Sequence, residues 1–444
     1  MHRDLPRILI TSIPCWNDSV GSTTFSNLFE WYDSSKIANI YYREGVPSSK
    51  VCDTYFKISE PLVIKSIFKR DIKTGKTYLS KSCNGLGSQA DQIAFSRQRK
   101  QYKFFQRHRF YIFLLLREIL WWLGKWKSKE LNEYLENFHP EIIIFPMESH
   151  FYFNRINRYI IRKTGAKAIG YFWDDNFSYK QDSGLFFLFH RFLLRKSLRK
   201  TTQMCSRVFA ISPKMKQECD ALFKVNSILL TKGIDIDQTL KPNPIPNDPL
   251  RMTYTGKLSI GRWKSLARIV SILNKINVNK IQIELYIYTT DIPHEHILRQ
   301  FQGRGCHFCG AIPIKEVEIV QAKSDILLFV ESLDRKYKNI ARLSFSTKLT
   351  DYFRCGKCIF AVGAPNIAPI EYLKDQKAAL IATSYDQIED QIKFLLQDKT
   401  ILFKYANNAY NCGRLNHNIK DIKSILETTI LELLNNEKIH NTLC

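Results

Sequence analysis

The chain has 444 residues, of which 45% are hydrophobic and 13% aromatic, and its formal net charge is +24 at pH 7. This length accommodates two or three domains, and this apolar share excludes an intrinsically disordered chain. The positive surplus predicts an anionic partner, which could be nucleic acid, an acidic membrane or a phosphate-bearing small molecule.

The amino-terminal segment and the apolar stretches predict neither a signal peptide nor a membrane-spanning helix. The first apolar run, residues 8–13, is too short for a signal-peptide core and has no cleavage site after it. A membrane-spanning helix needs roughly 20 uncharged apolar residues. The nearest candidate, residues 110–126, is interrupted by Arg117 and Glu118. We therefore expect a cytoplasmic protein that is soluble or peripherally bound to a membrane.

In the first half of the sequence, apolar strands alternate with helices. Strands are predicted at residues 8–13, 37–42, 54–58, 141–146, 168–173 and 208–212. Helices are predicted at residues 21–31, 101–138 and 185–200. A further helix follows the strand at 141–146 and ends at about residue 163, and another begins at residue 213. Residues 60–100, which are polar and basic, are predicted to form a loop-rich insertion. Continuous apolar strands are typical of a parallel sheet that is buried on both faces.

A polar, proline-rich stretch at residues 233–250 predicts an interdomain linker. Beyond it, strands are predicted at residues 252–255, 281–288, 307–309, 325–330, 358–362 and 378–381. Helices are predicted from residue 262 and at 294–300, 315–322, 347–353, 385–396 and 417–434. This alternation favours an α/β protein with two doubly wound Rossmann-like domains. We assign the domains to residues 1–240 and 241–420, with residues 421–444 as a carboxyl-terminal helix able to pack back on the first domain.

The eleven cysteines are odd in number and scattered, which favours free thiols in a reducing compartment. Two C-x-x-C pairs, Cys306/Cys309 and Cys355/Cys358, leave a four-cysteine zinc site as the alternative. Because Cys309 and Cys358 fall in predicted strands, where cysteine is an ordinary core residue, we predict no metal site.

The most informative stretch, residues 344–365, combines a small-residue turn, a short helix, a glycine stop and a buried strand. Ser346, Thr347 and Lys348 lie at the start of that helix. A helix start presents unpaired N–H groups and a partial positive charge, so we predict that these three residues bind a phosphate group. A single lysine of this kind is otherwise simply solvated.

A second basic loop follows the first strand of the second domain. Gly256 turns the chain there, and Lys257, Arg262 and Lys264 cluster at the next helix start. Cations at a helix start oppose the helix dipole, and they fit better if an anion lies between them. The alternative is a set of solvated surface bases. Because the carboxyl ends of parallel strands share one edge of a sheet, we predict that Arg262 and Lys348 grip a diphosphate from two sides.

Polar residues also follow strands of the first domain, where they suit sugar hydroxyls and proton transfer. We predict catalytic roles for His150 and Asp175. The predicted substrate-binding residues are Gly21, Thr23, Glu148 and Asp174. The alternative for each of these residues is an ordinary loop or helix-capping role.

These motifs resemble those of the group-1 glycosyltransferases of bacterial surface-polysaccharide synthesis. The family's phosphate motif has Gly-Arg-Leu, three residues and then Lys, and Gly256-Lys-Leu followed after three residues by Arg262 is similar, with the two bases exchanged. Asp351 falls at the family's ribose-binding glutamate. A second family glutamate is replaced by Leu343, and the Ser-Thr-Lys turn at residues 346–348 matches a divergent branch.

The resemblance implies the GT-B architecture, in which two Rossmann-like domains face a cleft. It implies a nucleotide-diphospho-sugar as co-substrate and no other cofactor. The donor-binding residues would be Gly256, Lys257, Arg262, Ser346, Thr347, Lys348 and Asp351. Arg262 and Lys348 would stabilise the departing diphosphate without a metal. A lipid-linked or saccharide acceptor would bind the amino-terminal domain during capsule or O-antigen assembly on the inner face of a bacterial membrane.

Two stretches, residues 104–126 and 186–200, mix aromatic and basic residues at helical spacing. They predict helices that lie on the anionic inner membrane surface, or else packed helices with a solvated basic edge. Two rival functions remain: a basic nucleic-acid-binding protein and an inactive peripheral membrane scaffold of the same fold. The sequence carries no zinc-finger, RRM or KH signature, so we predict no nucleic-acid partner.

Overall fold

The computed structural model describes residues 5–12, 23–42, 51–69, 71–79, 111–236, 242 and 245–442. The chain divides into two compact units. The first unit comprises Met1–Ile211, Met215–Thr231 and Lys423–Cys444, and the second comprises Ser212–Lys214 and Lys232–Ile422.

The first unit is built on an eight-stranded sheet. Its strands are β1 (Ile8–Ser12), β2 (Ile37–Tyr41), β3 (Thr54–Ile58), β4 (Gly75–Leu79), β5 (Ile142–Pro146), β6 (Lys167–Phe172), β7 (Arg207–Ala210) and β8 (Ile228–Leu229). They lie in the order β4-β3-β2-β1-β5-β6-β7-β8, and every pair is parallel except β3 with β4. The strand order therefore reverses at β1 and β5, where ligands bind in open parallel sheets.

The helices of the first unit lie between these strands in sequence. They are α1 (Thr23–Phe29), α2 (Glu60–Lys65), α3 (Tyr111–Leu123), α4 (Lys129–Phe138), α5 (Phe151–Thr164), α6 (Leu185–Thr202) and α7 (Pro213–Phe223), with 3-10 turns at Ser34–Lys36 and Tyr179–Gln181. Helices α3, α5 and α6 pack on one another. This packing brings together side chains that are far apart in the sequence.

The second unit is built on a six-stranded parallel sheet. Its strands are β9 (Leu250–Thr255), β10 (Ile283–Tyr288), β11 (Cys306–Gly310), β12 (Ile326–Val330), β13 (Cys358–Val362) and β14 (Leu380–Ala382). The order is β11-β10-β9-β12-β13-β14, so the reversal lies between β9 and β12. All five residues of β12 and of β13 are buried, as expected for parallel strands covered on both faces.

The helices that accompany this sheet include two that the sequence did not reveal. The set is α8 (Arg262–Ile276), α9 (Glu295–Gln300), α10 (Ile314–Ala322), α11 (Thr347–Arg354), α12 (Ala368–Asp375), α13 (Tyr385–Gln397) and α14 (Thr400–Asn416). The last helix, α15 (Ile419–Thr442), begins in the second unit and belongs to the first unit from Lys423 onward. We had predicted no helix at α12 or α14. The prediction of an α/β protein with two doubly wound domains is confirmed.

Two local predictions were wrong. Residues 60–79 are not merely a loop, because α2 and β4 form there, and β4 gains backbone hydrogen bonds by pairing with β3. The helix predicted over residues 101–138 is interrupted in its described part at Gly124. A side chain at that glycine would overlap Val63, so the break lets the chain pass close to α2.

The cysteines of the second unit do not assemble into one site. Strand β11, with Cys306 and Cys309, and β13, with Cys358, are separated by three intervening strands. At about 4.8 Å per strand this separation is about 19 Å. All the thiols in the described ranges are free, and these ranges contain no cluster of three metal-ligating side chains. Nor does any helix there have the length and apolar character to cross a membrane.

Candidate functional site

The candidate site lies at the carboxyl ends of β9 and β12, where the strand order reverses. The loop after β9 starts at Gly256, whose N–H donates to the Tyr288 carbonyl at 2.9 Å. Asp291 accepts the N–H groups of Leu258 and Ser259 at 2.7 and 3.3 Å. The loop leads into α8 through Gly261, which has a φ of 73°. This loop is therefore held by a carboxylate that belongs to the next strand-to-helix connection.

Arg262, the first residue of α8, is already paired with a carboxylate of the protein. Its Nε and Nη2 donate to the two oxygens of Glu331 at 3.0 and 2.8 Å. Glu331 directly follows β12, and only 7% of its side chain is exposed. Burial by itself lowers the pKa of Arg262, but the Glu331 carboxylate outweighs burial and leaves that pKa raised. The pair therefore fixes the guanidinium in a bidentate, charge-compensated geometry.

The neighbouring base on α8 is compensated in the same way. Lys264 forms an ion pair with Asp334. The Asp334 carboxylate also accepts the Lys336 N–H at 2.8 Å, so it belongs to a turn of the loop after β12. Two of the three bases at this helix start thus have a carboxylate of their own, and the third, Lys257, is exposed.

Lys348 is different, because its ammonium has neither a hydrogen-bond acceptor nor a carboxylate partner among the residues that the structure describes. It lies against Gly256, where a Cβ atom would overlap Nζ. Its other neighbour is the ring of Tyr254, whose centroid is 5.3 Å from Nζ. The glycine therefore makes the room that this ammonium occupies.

The electrostatic setting of Lys348 favours an incoming anion. Burial, with help from the positive charges of Arg262 and Lys257, lowers the pKa of Lys348 to about 8. Glu331 and Asp291 act in the opposite direction. An ammonium that is removed from water and lacks a counter-ion is costly, and a phosphate oxygen would relieve that cost.

Three other predicted donor residues lie on α11 or at its start. Ser346 is the N-cap of α11 but makes no capping hydrogen bond with its side chain, and Thr347 follows as the first residue of the helix. Asp351 lies one turn further on, where it accepts Lys232 Nζ at 2.7 Å. Its side chain is 38% exposed, so the carboxylate remains open to a ligand on one side.

In the first unit, the predicted residue His150 lies at the start of α5 beside Glu118 of α3. The distance from Nδ1 to the carboxylate is 3.5 Å. Glu118 also accepts the N–H groups of Phe151 and Tyr152 at 3.0 and 2.8 Å. Burial lowers the pKa of His150, although Glu118 opposes the shift. Burial therefore favours the neutral form of the imidazole.

The remaining predicted residues of the first unit that the structure describes lie in the loops after β5 and β6. Asp175 is buried and accepts the Ser178 N–H at 2.9 Å, which is a turn-stabilising arrangement. Asp174 is exposed, and Glu148 offers its carbonyl to Asn154 at 3.2 Å. Gly21 and the side chain of Thr23 lie outside the described part of the chain.

Sequence reasoning missed the acidic residues that organise both regions. These are Glu331, Asp291, Asp334 and Glu118. For Glu331 a signal existed, because it is a carboxylate directly after the uninterrupted apolar strand β12. For Glu118 there was none, since its partners lie more than 30 residues away in the sequence.

No protein-family model and no curated protein matches the sequence. The fold, however, matches solved structures over almost their whole length. HepE of Anabaena in complex with UDP has a TM-score of 0.61 and 11% identity, covering 96% of this chain and 100% of that one. Sucrose-phosphate synthase from Thermosynechococcus elongatus has a TM-score of 0.62 and 10% identity, covering 97% and 99%. The chain has the GT-B fold.

A third match of the same kind is the UDP-forming α,α-trehalose-phosphate synthase from Burkholderia vietnamiensis. Its TM-score is 0.57 at 8% identity, covering 96% of this chain and 100% of that one. The GT-B architecture that the sequence motifs implied is therefore confirmed. At identities this low the likeness establishes the fold, and the activity has to be argued from the chain's own residues.

Proposed function

We propose that this protein is a glycosyltransferase that holds a nucleoside-diphospho-sugar on its second unit and transfers the sugar to a lipid-linked or saccharide acceptor. The observation that carries the proposal is the uncompensated ammonium of Lys348, which lies against Gly256 beside the Arg262–Glu331 pair. A diphosphate supplies the missing counter-charge. Crystal structures of HepE contain UDP and UDP-glucose, which makes uridine diphosphate the first donor nucleotide to test.

The chemistry follows from the geometry of the cations. As the bond from the sugar to the diphosphate breaks, negative charge grows on the leaving oxygen, and Lys348 and Arg262 are placed to stabilise it. Since Glu331 orients the guanidinium beforehand, little reorganisation is needed. Lys348 offers a positive charge that no carboxylate of the described residues pairs with, and we propose that transfer is metal-independent.

We assign acceptor binding to the first unit, where burial favours the neutral form of His150 and Glu118 orients its ring. A neutral imidazole can accept a proton from an acceptor hydroxyl. Asp174, Glu148, Gly21 and Thr23 remain proposed acceptor contacts, and Asp175 a proposed catalytic residue. Surface-polysaccharide assembly at an anionic membrane is the proposed setting.

The decisive experiment measures UDP binding by calorimetry for the wild type, for Lys348→Ala and for Lys280→Ala as a matched control. Lys280 is an exposed lysine of the same unit, paired with Asp248. A charge-assisted contact contributes about 1.5–3 kcal/mol, so Lys348→Ala should weaken UDP binding about 10- to 150-fold. The wild-type protein should also be tested against a panel of nucleoside diphosphates and nucleoside-diphospho-sugars. If it binds none of them, an inactive scaffold of the same fold becomes the better description.

A further inference from the structure

Two neighbouring helices of the first unit expose large apolar side chains that ordinary soluble helices bury. On α3 these include Leu116, Ile119 and Trp122, which are 50%, 51% and 69% exposed. On α6, Leu185, Phe186 and Phe189 are 83%, 62% and 55% exposed. Isolated exposed apolar residues need no explanation, but a contiguous set of this size marks an interaction surface.

The spacing shows that each set forms a stripe along its helix. Residues 116, 119 and 122 recur every three positions on α3, and residues 185, 189 and 192 recur at four and three positions on α6. These intervals put side chains on one face of a helix. Because α3 and α6 pack on each other, the two stripes belong to one helix pair.

The stripe on α6 continues into positive charge. Lys196, Arg199 and Lys200 follow the apolar residues on the exposed side, and Lys196 Nζ lies 4.4 Å above the Phe192 ring. An apolar stripe that ends in bases suits a surface with an apolar interior and anionic headgroups. The same bases would repel one another across an interface between two copies of this chain.

Less exposed side chains of the same two helices contact the candidate acceptor residues. Glu118 of α3 contacts His150. On α6, the ring of His190 lies 5.1 Å from the ring of Phe151, the residue that follows His150. The helices thus expose apolar residues and also contact His150 and its neighbour Phe151. His190 and Arg191 are buried, so one side of α6 is packed against the rest of the first unit.

We propose that α3 and α6 form a docking surface for an anionic phospholipid bilayer, with the apolar stripe inserted at the headgroup boundary and the bases of α6 over the headgroups. Resting on the proposed function, this surface brings a lipid-linked acceptor to His150. The docking itself requires no nucleotide and no catalysis.

The test is cosedimentation of the full chain with vesicles of phosphatidylcholine alone or with phosphatidylglycerol. The triple variant Leu185→Ser, Phe186→Ser, Phe189→Ser should lose about tenfold or more of the binding to anionic vesicles. The matched control is Ile292→Ser with Ile314→Ser, two residues of the second unit that are 98% and 84% exposed. The control should bind as the wild type does.

A charge variant, Lys196→Gln with Arg199→Gln and Lys200→Gln, tests the electrostatic part. Its affinity for anionic vesicles should fall about fivefold for each base removed, and its affinity for neutral vesicles should not change. Wild-type binding that ignores lipid charge, or that survives the triple serine variant, overturns the proposal. A wild-type dimer that the serine variant dissociates also overturns it, because the stripes would then be an interface between copies.

A failure of membrane docking can be distinguished from a failure of the proposed transferase function. The serine variant should keep wild-type UDP affinity, because its residues lie on α6 and the donor site lies in the second unit. Vesicle binding without nucleotide binding would refute the transferase and support docking. Nucleotide binding without vesicle binding would refute docking alone.

Discussion

Replacing Lys348 by methionine should make the unliganded protein more stable while removing its affinity for a nucleoside diphosphate. Methionine fills the volume of the aliphatic stem against Gly256 and the Tyr254 ring but carries no charge. Most substitutions of a partly buried side chain destabilise a protein. A gain in stability here would identify an ammonium that the fold retains for binding.

The size and sign of the effect follow from the pKa of Lys348, which burial and the nearby bases lower from 10.5 to about 8. Below pH 8 the group is charged in both states, and its burial and the nearby bases cost the folded state at most about 3.4 kcal/mol. As the pH rises from 8 to 10.5 the cost disappears, because the folded protein deprotonates first. Since solvent reaches part of the side chain, we expect a gain of about 1–3 kcal/mol at pH 7.

The assay is the melting temperature of the wild type and the variant at pH 7 and pH 10, each with and without UDP. For a unit of about 200 residues, 1 kcal/mol corresponds to about 2–4 °C. The variant should melt a few degrees higher than the wild type at pH 7, and the difference should shrink at pH 10. Lys280→Met, at an exposed position, should change little at either pH. A variant that melts lower at pH 7 and is still stabilised by UDP would refute both the buried charge and its role.

Three further predictions test the surroundings of this cation and the acceptor site. Gly256→Ala should weaken UDP binding about tenfold, because its Cβ would overlap the ammonium end of Lys348 and approach the Tyr254 hydroxyl to 3.0 Å; equal UDP affinity in calorimetry would contradict this. Glu331→Gln removes a charge that raises the pKa of Lys348, so the alkaline limit of UDP binding should move to lower pH, whereas Asp334→Asn should leave it in place. His150→Gln should reduce transfer about 100-fold or more at unchanged UDP affinity, and a variant that transfers at the wild-type rate would exclude proton transfer by this residue.

Local patterns predicted most of the strands because parallel strands are continuous apolar runs. Thr54–Ile58 and Cys358–Val362 have the predicted bounds. Helix α14 was missed since Asn407, Asn408 and Gly413 are poor helix formers. Tertiary packing explains the helix: Gly413 lets α14 approach the Phe353 side chain, and a Cβ there would lie only 2.7 Å from that residue.

The candidate site could be predicted only in part, because sequence reasoning found the cations and not their anions. Gly256, Arg262 and Lys348 follow strands of one sheet, so topology alone predicted that they meet. The bidentate pair with Glu331 joins residues 69 positions apart, and no spacing rule specifies it. In the sequence alone, Arg262 and Lys348 look like equivalent free bases. In the structure, a carboxylate balances the charge of Arg262 but not that of Lys348.

The pairing of Arg262 and Lys264 with carboxylates has a consequence for ionic strength. Two of the positive charges at the start of α8 are balanced by carboxylates, so they add little to the net charge where the diphosphate is expected. Added salt screens exposed charges far more than desolvated ones. Nucleotide affinity should therefore change little between dilute and concentrated salt, while attachment through the exposed bases of α6 should fall steeply over the same range.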